Sequence, residues 1–261
     1  MKTNKENKNQ QEMQSGMSRR QFLGAAATGI AGFMILPSFT VDGVRIAPSD
    51  RVVLGFVGVG QQGCSDFRSF STCPGVQVAA CSDVDSIKRE RFRRYVTKWQ
   101  KEKGMPQRCD MYEEYERLLD RKDIDAVAIA TPDHWHCEIM SEVMRRGIHL
   151  YAEKPLCRTF AECRQLESLA KSSGVVTQLG TQIAAWECDR HTAAILRRGD
   201  IGEVKKVYLF TNTGYYAKLL DRKWPLNAEK APVPSTLDWK GWLGPAPYRD
   251  YVPNRYHSFV W

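Results

Sequence analysis

The amino-acid sequence predicts an α/β protein built around a doubly wound parallel sheet, and two observations support this prediction. Short, nearly continuous apolar runs alternate with helical stretches between Arg51 and Gly180, as is typical of parallel strands that are buried on both faces. Strands that alternate with helices of this length form βαβ units. Beyond Gly180 the alternation stops, which indicates that a second domain begins there.

Local signals mark the ends of the predicted elements. Thr159 and Glu162 have the spacing of a capping box, in which each side chain bonds the other residue's backbone N–H, so a helix begins there. Gly147 follows two arginines at the end of a helical stretch, which is a favoured way for a helix to end. The strands are predicted at 51–58, 76–82, 124–132, 148–154 and 174–180, and the helices at about 64–70, 86–103, 112–120, 137–146 and 160–172.

The sequence after Gly180 predicts a different organisation. A helix at about 187–198 leads to a strand, "VKKVYLFTNTG", at 204–214. A loop of more than thirty residues follows, and it carries six prolines from Pro225 to Pro253. Because loops of this length are uncommon in a compact domain, we expect this one to wrap over another part of the protein.

Composition and charge exclude several classes of protein. Of the 261 residues, 43% are hydrophobic, which is enough for a substantial core. The net charge is +8, but the basic residues are interleaved with acidic ones as on a solvated helix face, so we expect no nucleic-acid partner. The eight cysteines include no C-x-x-C pair, which predicts free thiols rather than a disulfide framework or a structural zinc site.

The first 37 residues have the pattern of an export signal. "SRRQFLG" at 18–24 leads into an uncharged apolar segment, Phe22–Leu36, which Pro37 ends. The segment has the length of a signal h-region and is short of the roughly 20 residues that span a bilayer. Paired arginines before such a segment are typical of the twin-arginine route. We therefore predict a signal segment at 1–37 that the twin-arginine translocation machinery recognises, a linker at 38–50 and a periplasmic protein. No clear cleavage site follows, so an uncleaved membrane anchor stays open as the alternative.

A glycine-rich turn follows the first predicted strand. Gly58, Gly60 and Gly63 have G-x-G-x-x-G spacing, with Gln61 and Gln62 between the last two. The first glycine permits a tight turn, the second lets a pyrophosphate approach the backbone, and the third lets the next helix pack on the strand. The start of that helix then faces the phosphates. The turn predicts a dinucleotide-binding Rossmann domain, which we place at 51–179.

An aspartate at the end of the second predicted strand indicates which dinucleotide binds. Asp83 lies twenty residues after Gly63, where a carboxylate accepts hydrogen bonds from the adenosine ribose and repels a 2′-phosphate. This position favours NAD over NADP. Lys88 and Arg89 are close by in the sequence and keep NADP open as the alternative cofactor.

Further motifs stand at the carboxyl ends of the next strands, where such sheets bind ligands. The glycine turn, Asp83, "TPDHWH", "EKP" and "LGTQ", in this order, resemble the Gfo/Idh/MocA oxidoreductases, and "LDWKGWLGPAP" is similar to exported members of that family. The resemblance extends from about Val52 to the end of the chain. It implies that 180–261 begin an α+β domain with a mostly antiparallel sheet. It also implies an NAD-dependent enzyme that transfers hydride between the cofactor and a hydroxyl or ketone of a sugar or polyol.

The resemblance also implies roles for individual residues. Thr131, Pro132 and His136 line the nicotinamide side of the cofactor, and Glu153 and Lys154 bracket the reacting centre. Lys154 is the catalytic candidate, because a cation beside the reacting oxygen stabilises a developing alkoxide. Burial beside the positive nicotinamide would lower the pKa of such a lysine towards the useful range. The two histidines of "HWH" have no third ligand beside them, so we expect no metal site.

Three readings of the function stay open at this point. The first is the sugar or polyol dehydrogenase, and the second is an NAD-dependent, redox-neutral glycosidase or lyase that begins with the same hydride transfer. Members of the family continue past the residue at which this chain stops and supply an Asp and a His to the catalytic group. In addition, "IAA" follows "GTQ", where many relatives carry arginine. The third reading is therefore a nucleotide-binding fragment that binds NAD without turning over a sugar, with any homo-oligomer belonging to the full-length form.

We predict that export depends on the two arginines of the signal. Exchanging Arg19 and Arg20 together for lysine keeps the charge, so the change tests recognition of the guanidinium groups alone. Cell fractionation should find the variant retained in the cytoplasm, whereas a control with Lys8→Arg outside the motif should be exported like the parent. Undiminished export of the double variant would contradict the twin-arginine assignment.

Overall fold

The computed structural model describes residues 39–41, 44–46, 50–210, 229–253 and 256. The predicted signal segment at 1–37 lies outside the described residues. The chain divides into two units, residues 1–51 and residues 52–261. In the first unit, β1 (Phe39–Val41) and β2 (Val44–Ile46) pair as an antiparallel hairpin.

A six-stranded parallel sheet forms the centre of the second unit. The strands are β3 (Val52–Val57), β4 (Val76–Ser82), β5 (Asp110–Tyr112), β6 (Ala126–Ile129), β7 (His149–Glu153) and β8 (Thr177–Gly180). Their spatial order is β5-β4-β3-β6-β7-β8, so the chain starts in the middle, winds to one edge and then winds to the other. This order confirms the predicted doubly wound sheet. The winding direction reverses between β3 and β6, and open α/β sheets bind ligands outside the carboxyl ends of the strands at such a point.

Most of the helices follow the sequence prediction, although Trp239–Leu243 lies in a region that the sequence predicts to be loop. They are α1 (Gln61–Phe70), α2 (Ser86–Glu102), α3 (Tyr115–Leu119), α4 (His136–Arg145), α5 (Phe160–Ser173), α6 (Glu187–Arg198) and α7 (Trp239–Leu243), with short 3₁₀ helices at Asp133–Trp135 and Gln182–Ala185. The capping box of Thr159 and Glu162 begins α5 as predicted. Among these described helices, none has the length and apolar character that a membrane crossing requires.

Alternate residues of β3 face two separate apolar layers. Leu54 and Phe56 belong to the layer that also contains residues of α1 and α2, and Val53 and Val57 belong to the layer that contains residues of α4 and α5. The ring of Phe56 packs 5.0 Å from that of Phe92 between centroids. Burial on both faces explains why β3 reads as a continuous apolar run, and each large apolar side chain buried there contributes about 2 kcal/mol to folding.

Two of the predicted elements differ in the structure. The helix predicted at 112–120 is shorter, because Asp110–Tyr112 pairs with β4 as an edge strand. The strand predicted at 204–214 is wrong over residues 204–210, which form no strand. A strand needs a partner for its backbone hydrogen bonds, and within the described chain none of the strands pairs with these residues. Leu209 is 92% exposed, and residues 211–214 lie outside the description.

The eight cysteines are all free thiols, and the fold separates them by burial. Four of them lie in the apolar layers on the two faces of the sheet, namely Cys64, Cys81, Cys109 and Cys137. Cys73 and Cys188 are exposed, whereas Cys157 and Cys163 are half-buried. The buried thiols therefore act as small apolar side chains of the core.

Candidate functional site

The glycine turn between β3 and α1 packs tightly against the backbone after β6. Gly58 has φ +82°, and a Cβ added to it would lie 2.6 Å from the carbonyl carbon of Ala130 and from the amide nitrogen of Thr131. A Cβ on Gly63 would lie 2.2 Å from the carbonyl oxygen of Gly58. Any side chain at these two positions would displace the turn, so both glycines are required by the protein's own packing.

The middle glycine of the turn has a different environment. A Cβ on Gly60 would meet no atom of the described chain within 4 Å, although Gly60 directly precedes the first residue of α1. The first backbone N–H groups of a helix have no partners inside it and favour a negative charge. A free approach to this helix start is the geometry that a pyrophosphate needs, so the residues present fit the phosphate end of a dinucleotide.

The two glutamines between the glycines have exposed side chains. Gln62 donates a hydrogen bond from Nε2 to Oδ1 of Asp66 over 2.8 Å, so its amide group is engaged within the protein. Gln61 and Gln62 would therefore contact a cofactor at this position through their backbone N–H groups, which belong to the first turn of α1.

The carboxylate at the end of β4 braces the glycine turn. Oδ2 of Asp83 accepts a hydrogen bond from the backbone N–H of Val59 over 2.9 Å, and Oδ1 accepts one from the backbone N–H of Asp85 over 3.0 Å. Burial raises the pKa of Asp83 above its usual range. A carboxylate oxygen can accept more than one hydrogen bond, so Asp83 retains acceptor capacity for a ribose hydroxyl while it holds the turn.

The basic residues near Asp83 are engaged with other groups of the protein. Arg89 donates to the carbonyl oxygen of Asp83 and pairs with Glu113 at 3.1 Å. Lys88 lies 3.7 Å from a carboxylate oxygen of Asp85. Because both cations already have anionic or carbonyl partners, the geometry weighs against a dedicated 2′-phosphate site here. Arg91, which no sequence motif marks, donates from its guanidinium to the carbonyl oxygen of Val59 over 3.3 Å and so holds the turn from its other side.

The residues after β6 connect the turn to the end of β7. Oγ1 of Thr131 is buried and has no hydrogen-bond partner among the described residues, and a buried polar atom of this kind indicates a ligand or solvent partner. The ring of His136 is 1% exposed. Its Nδ1 lies 2.6 Å from the carbonyl oxygen of Pro155, and its Nε2 lies 3.0 Å from that of Thr131. His136 therefore joins the backbones of the two loops at the site, and Pro132 follows Thr131 in the first of them.

The glutamate of "EKP" is held by the "LGTQ" segment. Glu153 is 3% exposed, and its Oε1 accepts hydrogen bonds from the Tyr151 hydroxyl over 3.0 Å and from Nε2 of Gln182. A Cβ on Gly180 would lie 2.5 Å from the same oxygen. Gly180 leaves space for the carboxylate and Gln182 orients it, so both residues of the "LGTQ" segment help to position Glu153.

Lys154 lies at the carboxyl end of β7, but its side chain is exposed. The burial expected of this lysine from the sequence is therefore not supplied by the described residues. The physical reason is its position, because the residue directly follows the last residue of the strand and leaves the sheet at its edge. Lys154 thus stands beside a buried carboxylate with its own ammonium group open to solvent.

A second buried carboxyl group lies next to Glu153, and the sequence analysis missed it. Asp66 of α1 is 6% exposed and lies within hydrogen-bonding reach of Glu153. Burial and the neighbouring Glu153 raise the pKa of Asp66 to about 7. A lone aspartate inside a helix carries no motif, and only the packing of α1 against β7 brings the two groups together.

The described part of the proline-rich loop lies along the same edge of the sheet. The backbone N–H of Asp238 donates to the carbonyl oxygen of Val84 over 3.0 Å, just beyond β4. Nε1 of Trp135 donates to the carbonyl oxygen of Gly241 over 3.0 Å, and Nε2 of His134 lies 2.8 Å from that of Trp242. This segment therefore crosses from the end of β4 to the residues after β6. Of the two histidines in "HWH", His134 faces a backbone carbonyl oxygen with Nε2, and His136 faces one with each ring nitrogen.

Two family models match the chain. One, described as "Oxidoreductase family, NAD-binding Rossmann fold", matches residues 52–181. The other, described as "Oxidoreductase family, C-terminal alpha/beta domain", matches residues 189–260. Both models are of the Gfo/Idh/MocA family. The glycine turn, Asp83 and the ends of β6 and β7 all lie within the first match, so the site described above belongs to an NAD(P)-binding domain.

Individual relatives are similar over part of their length. A glycosyl hydrolase family 109 protein of Shewanella pealeana is 29% identical over 206 residues, which are 72% of this chain and 44% of the relative. The structure of myo-inositol 2-dehydrogenase from Lactobacillus plantarum is 27% identical with a TM-score of 0.51, over 59% of this chain and 43% of that one. A 3-ketoreductase from Actinomadura kijaniata, in complex with NADP and TDP-benzene, shares the fold at 24% identity and a TM-score of 0.51, over 59% and 45% of the two chains. The chain spans less than half the length of each of these proteins.

The environments of the glycines predict two distinct effects of the same small change. Gly60→Ala should leave the melting temperature unchanged and weaken NAD binding at least about tenfold, because its methyl group meets only the approach to the helix start. Gly63→Ala, the matched control, should also destabilise the fold by about 2 kcal/mol or more, because its methyl group meets backbone. Calorimetric titration with NAD and thermal unfolding measure the two effects. Full NAD affinity in Gly60→Ala would contradict the phosphate site.

Proposed function

Because this chain is built from domains of the Gfo/Idh/MocA oxidoreductase family, we propose that it serves an NAD-dependent enzyme acting on a sugar or polyol. The reaction is the transfer of a hydride between the nicotinamide and a carbon that carries a hydroxyl or ketone. The observation that carries the proposal is a series of contacts at the reversal point of an NAD-binding sheet: the glycine turn packs against Thr131, and His136 joins Thr131 to Pro155, which directly follows Glu153–Lys154. The likeness to myo-inositol 2-dehydrogenase supports a polyol as substrate.

The residues at the site divide the work of this reaction between them. When bound, the dinucleotide supplies the hydride acceptor or donor. The start of α1 would hold its phosphates and Asp83 its ribose, and His136 joins the loops after β6 and β7. In its neutral amine form Lys154 takes the proton of the substrate hydroxyl at Nζ, and the ammonium group that results donates a hydrogen bond to that oxygen and stabilises its negative charge. Glu153, oriented by Tyr151 and Gln182, provides a fixed negative charge next to that lysine.

A redox-neutral glycosidase is the second candidate function. It is favoured by the Shewanella pealeana relative, a glycosyl hydrolase family 109 protein that is 29% identical to this chain. In such an enzyme the glycosidic bond would be cleaved with no net oxidation of the sugar, and the cofactor would be neither consumed nor regenerated from outside. The contacts described here serve both reactions, because both begin with removal of hydride and of a hydroxyl proton.

We also propose that the protein is exported folded by the twin-arginine route to the periplasm. Support comes from the arrangement at 18–36 and from the nature of the cofactor, which is made in the cytoplasm and is loaded into a folded domain. An enzyme exported in this way needs its NAD regenerated in place if it is a dehydrogenase, whereas a redox-neutral glycosidase does not.

We predict that Asp83 sets the preference for NAD over NADP. Asp83→Ala removes the charge that repels a 2′-phosphate, and it also removes the brace of Val59, so absolute affinity should fall for both cofactors. The ratio of the two dissociation constants should nevertheless shift at least about tenfold towards NADP. Calorimetry on Asp83→Asn, which keeps an acceptor oxygen for the brace, provides the matched control for the charge. A parent protein that binds NADP more tightly than NAD would overturn the assignment.

We predict that Lys154 carries the proton transfer. The substitution Lys154→Met is made in the protein as the cell produces it. It should lower the catalytic rate by about 10² to 10⁴ and leave the NAD dissociation constant within a few-fold of that of the parent. Two assays run side by side decide between the functions, namely the appearance of NADH with a panel of sugars and inositols and the cleavage of chromogenic glycosides without net NADH. Activity of Lys154→Met equal to that of the parent in both assays would remove Lys154 from the mechanism.

A further inference from the structure

Asp66 and Glu153 form a buried pair of carboxyl groups that the hydride transfer does not use directly. Asp66 comes from α1, which begins at the glycine turn, and Glu153 is the last residue of β7. Each has one oxygen with a hydrogen-bond partner and one buried oxygen without any, Oδ2 of Asp66 and Oε2 of Glu153. The two side chains lie within hydrogen-bonding reach of each other.

Two ionised carboxylates in this arrangement would be unfavourable for two reasons. An ionised carboxylate only accepts hydrogen bonds, so neither group could satisfy the other's free oxygen. Like charges at this separation also disfavour simultaneous ionisation, most strongly where the groups are removed from water. A single proton between the two groups resolves both problems, because it turns one carboxyl group into a donor to the other.

The groups around the pair hold it in place without neutralising it. Gln62 donates to Asp66 from the same helix, and Tyr151 and Gln182 donate to Glu153 from β7 and from the 3₁₀ helix after β8. These three donors are uncharged. The cation beside the pair is Lys154, whose charge opposes the rise in the pKa of Asp66. Burial and the two carboxyl groups raise the pKa of Tyr151, so its hydroxyl stays a donor.

We propose that Asp66 and Glu153 share one proton and that this pair is a positioning device that sets the buried negative charge behind Lys154. The proposal rests on the proposed function insofar as it gives that charge a role. With the proton in place, the pair carries one negative charge and matches the single ammonium of Lys154. Release of the proton to solvent gives the pair a second negative charge at the nicotinamide end of the site.

The shared proton makes stability depend on pH in a specific direction. In the unfolded chain Asp66 ionises near its ordinary pKa, whereas in the folded protein burial and Glu153 raise its pKa to about 7. A group whose pKa is raised on folding contributes stability that is complete at acid pH and is lost as the pH rises through the folded value. The loss therefore falls between about pH 4 and about pH 7. Asp66→Asn should escape it, because its amide donates to Glu153 at every pH.

The charge of the pair should also discriminate between the two forms of the cofactor. The oxidised nicotinamide ring is positive and the reduced ring is neutral, so a second negative charge nearby favours NAD⁺ over NADH. The ratio of NAD⁺ affinity to NADH affinity should rise about threefold or more between pH 6 and pH 8.5 in the parent. In Asp66→Asn this ratio should stay constant over the same range.

Carbon-13 NMR of the side-chain carboxyl groups tests the pair without any cofactor. In the parent, one titration near neutral pH should move both carboxyl resonances together, and it should be absent from Asp66→Asn and from Glu153→Gln. Titration of both groups near their ordinary pKa values of about 4 would overturn the proposal. This measurement on the parent alone decides the matter even if a variant does not fold.

Thermal unfolding and calorimetry separate the proposal from a purely structural role of Asp66. The difference in melting temperature between Asp66→Asn and the parent should grow from about pH 4 to about pH 7 and then level off. Asp66→Ala, which lacks a donor at any pH, should already be less stable than the parent at pH 5. A difference that is the same at every pH would mean that Asp66 only fills space. If neither cofactor binds, the proposed function fails, and the carboxyl titration still decides the pair.

Discussion

The approach of the glycine turn to the backbone after β6 is the constraint on which the remaining geometry of the site depends. Gly58 leaves no space for a side chain between itself and Ala130–Thr131, and Gly63 leaves none between α1 and the turn. These contacts fix where α1 starts and how it packs against the sheet. Once α1 is fixed, Asp66 reaches Glu153 and the start of the helix is open at Gly60. A small change in this backbone contact would therefore alter phosphate binding and the carboxyl pair together.

Hydrogen bonds to backbone groups fix the positions of the loops at the carboxyl ends of several strands. Asp83 and Arg91 hold Val59 from opposite sides, and His136 joins the residues after β6 to those after β7. The segment around α7 then ties the residues beyond β4 to those beyond β6. Because these links join groups that are far apart in sequence, the loops are positioned by contacts with other elements rather than by their own propensities. A preorganised site of this kind loses little entropy when a ligand binds.

Features that depend on residues close in sequence could be predicted from the sequence, whereas features that depend on partners far away in sequence could not. Most of the strands, most of the helix ends and the capping box at Thr159 depend on neighbours in sequence, and the pattern predicts them correctly, whereas it predicts neither β5 nor α7. The glycine spacing predicts the turn because its steric demands are local. Asp66 escapes such reasoning, since its partner belongs to another strand, and the exposure of Lys154 depends on what covers the strand end. The strand expected at 204–210 fails for a related reason, because strand formation requires a partner that the residues themselves do not specify.

The distribution of the cysteines has a consequence for following the protein in solution. Cys73 and Cys188 are exposed, whereas Cys64, Cys81, Cys109 and Cys137 lie against the faces of the sheet. Apart from the half-buried Cys157 and Cys163, the thiols therefore present two classes of site to a thiol-specific reagent, one that reacts at once and one that reacts only when the layers separate. Where reclosing is faster than labelling, the slow class reports the equilibrium population of the opened state, and where labelling is faster it reports the opening rate. The extent to which the buried thiols are labelled therefore measures how far the apolar layers of the nucleotide-binding domain open.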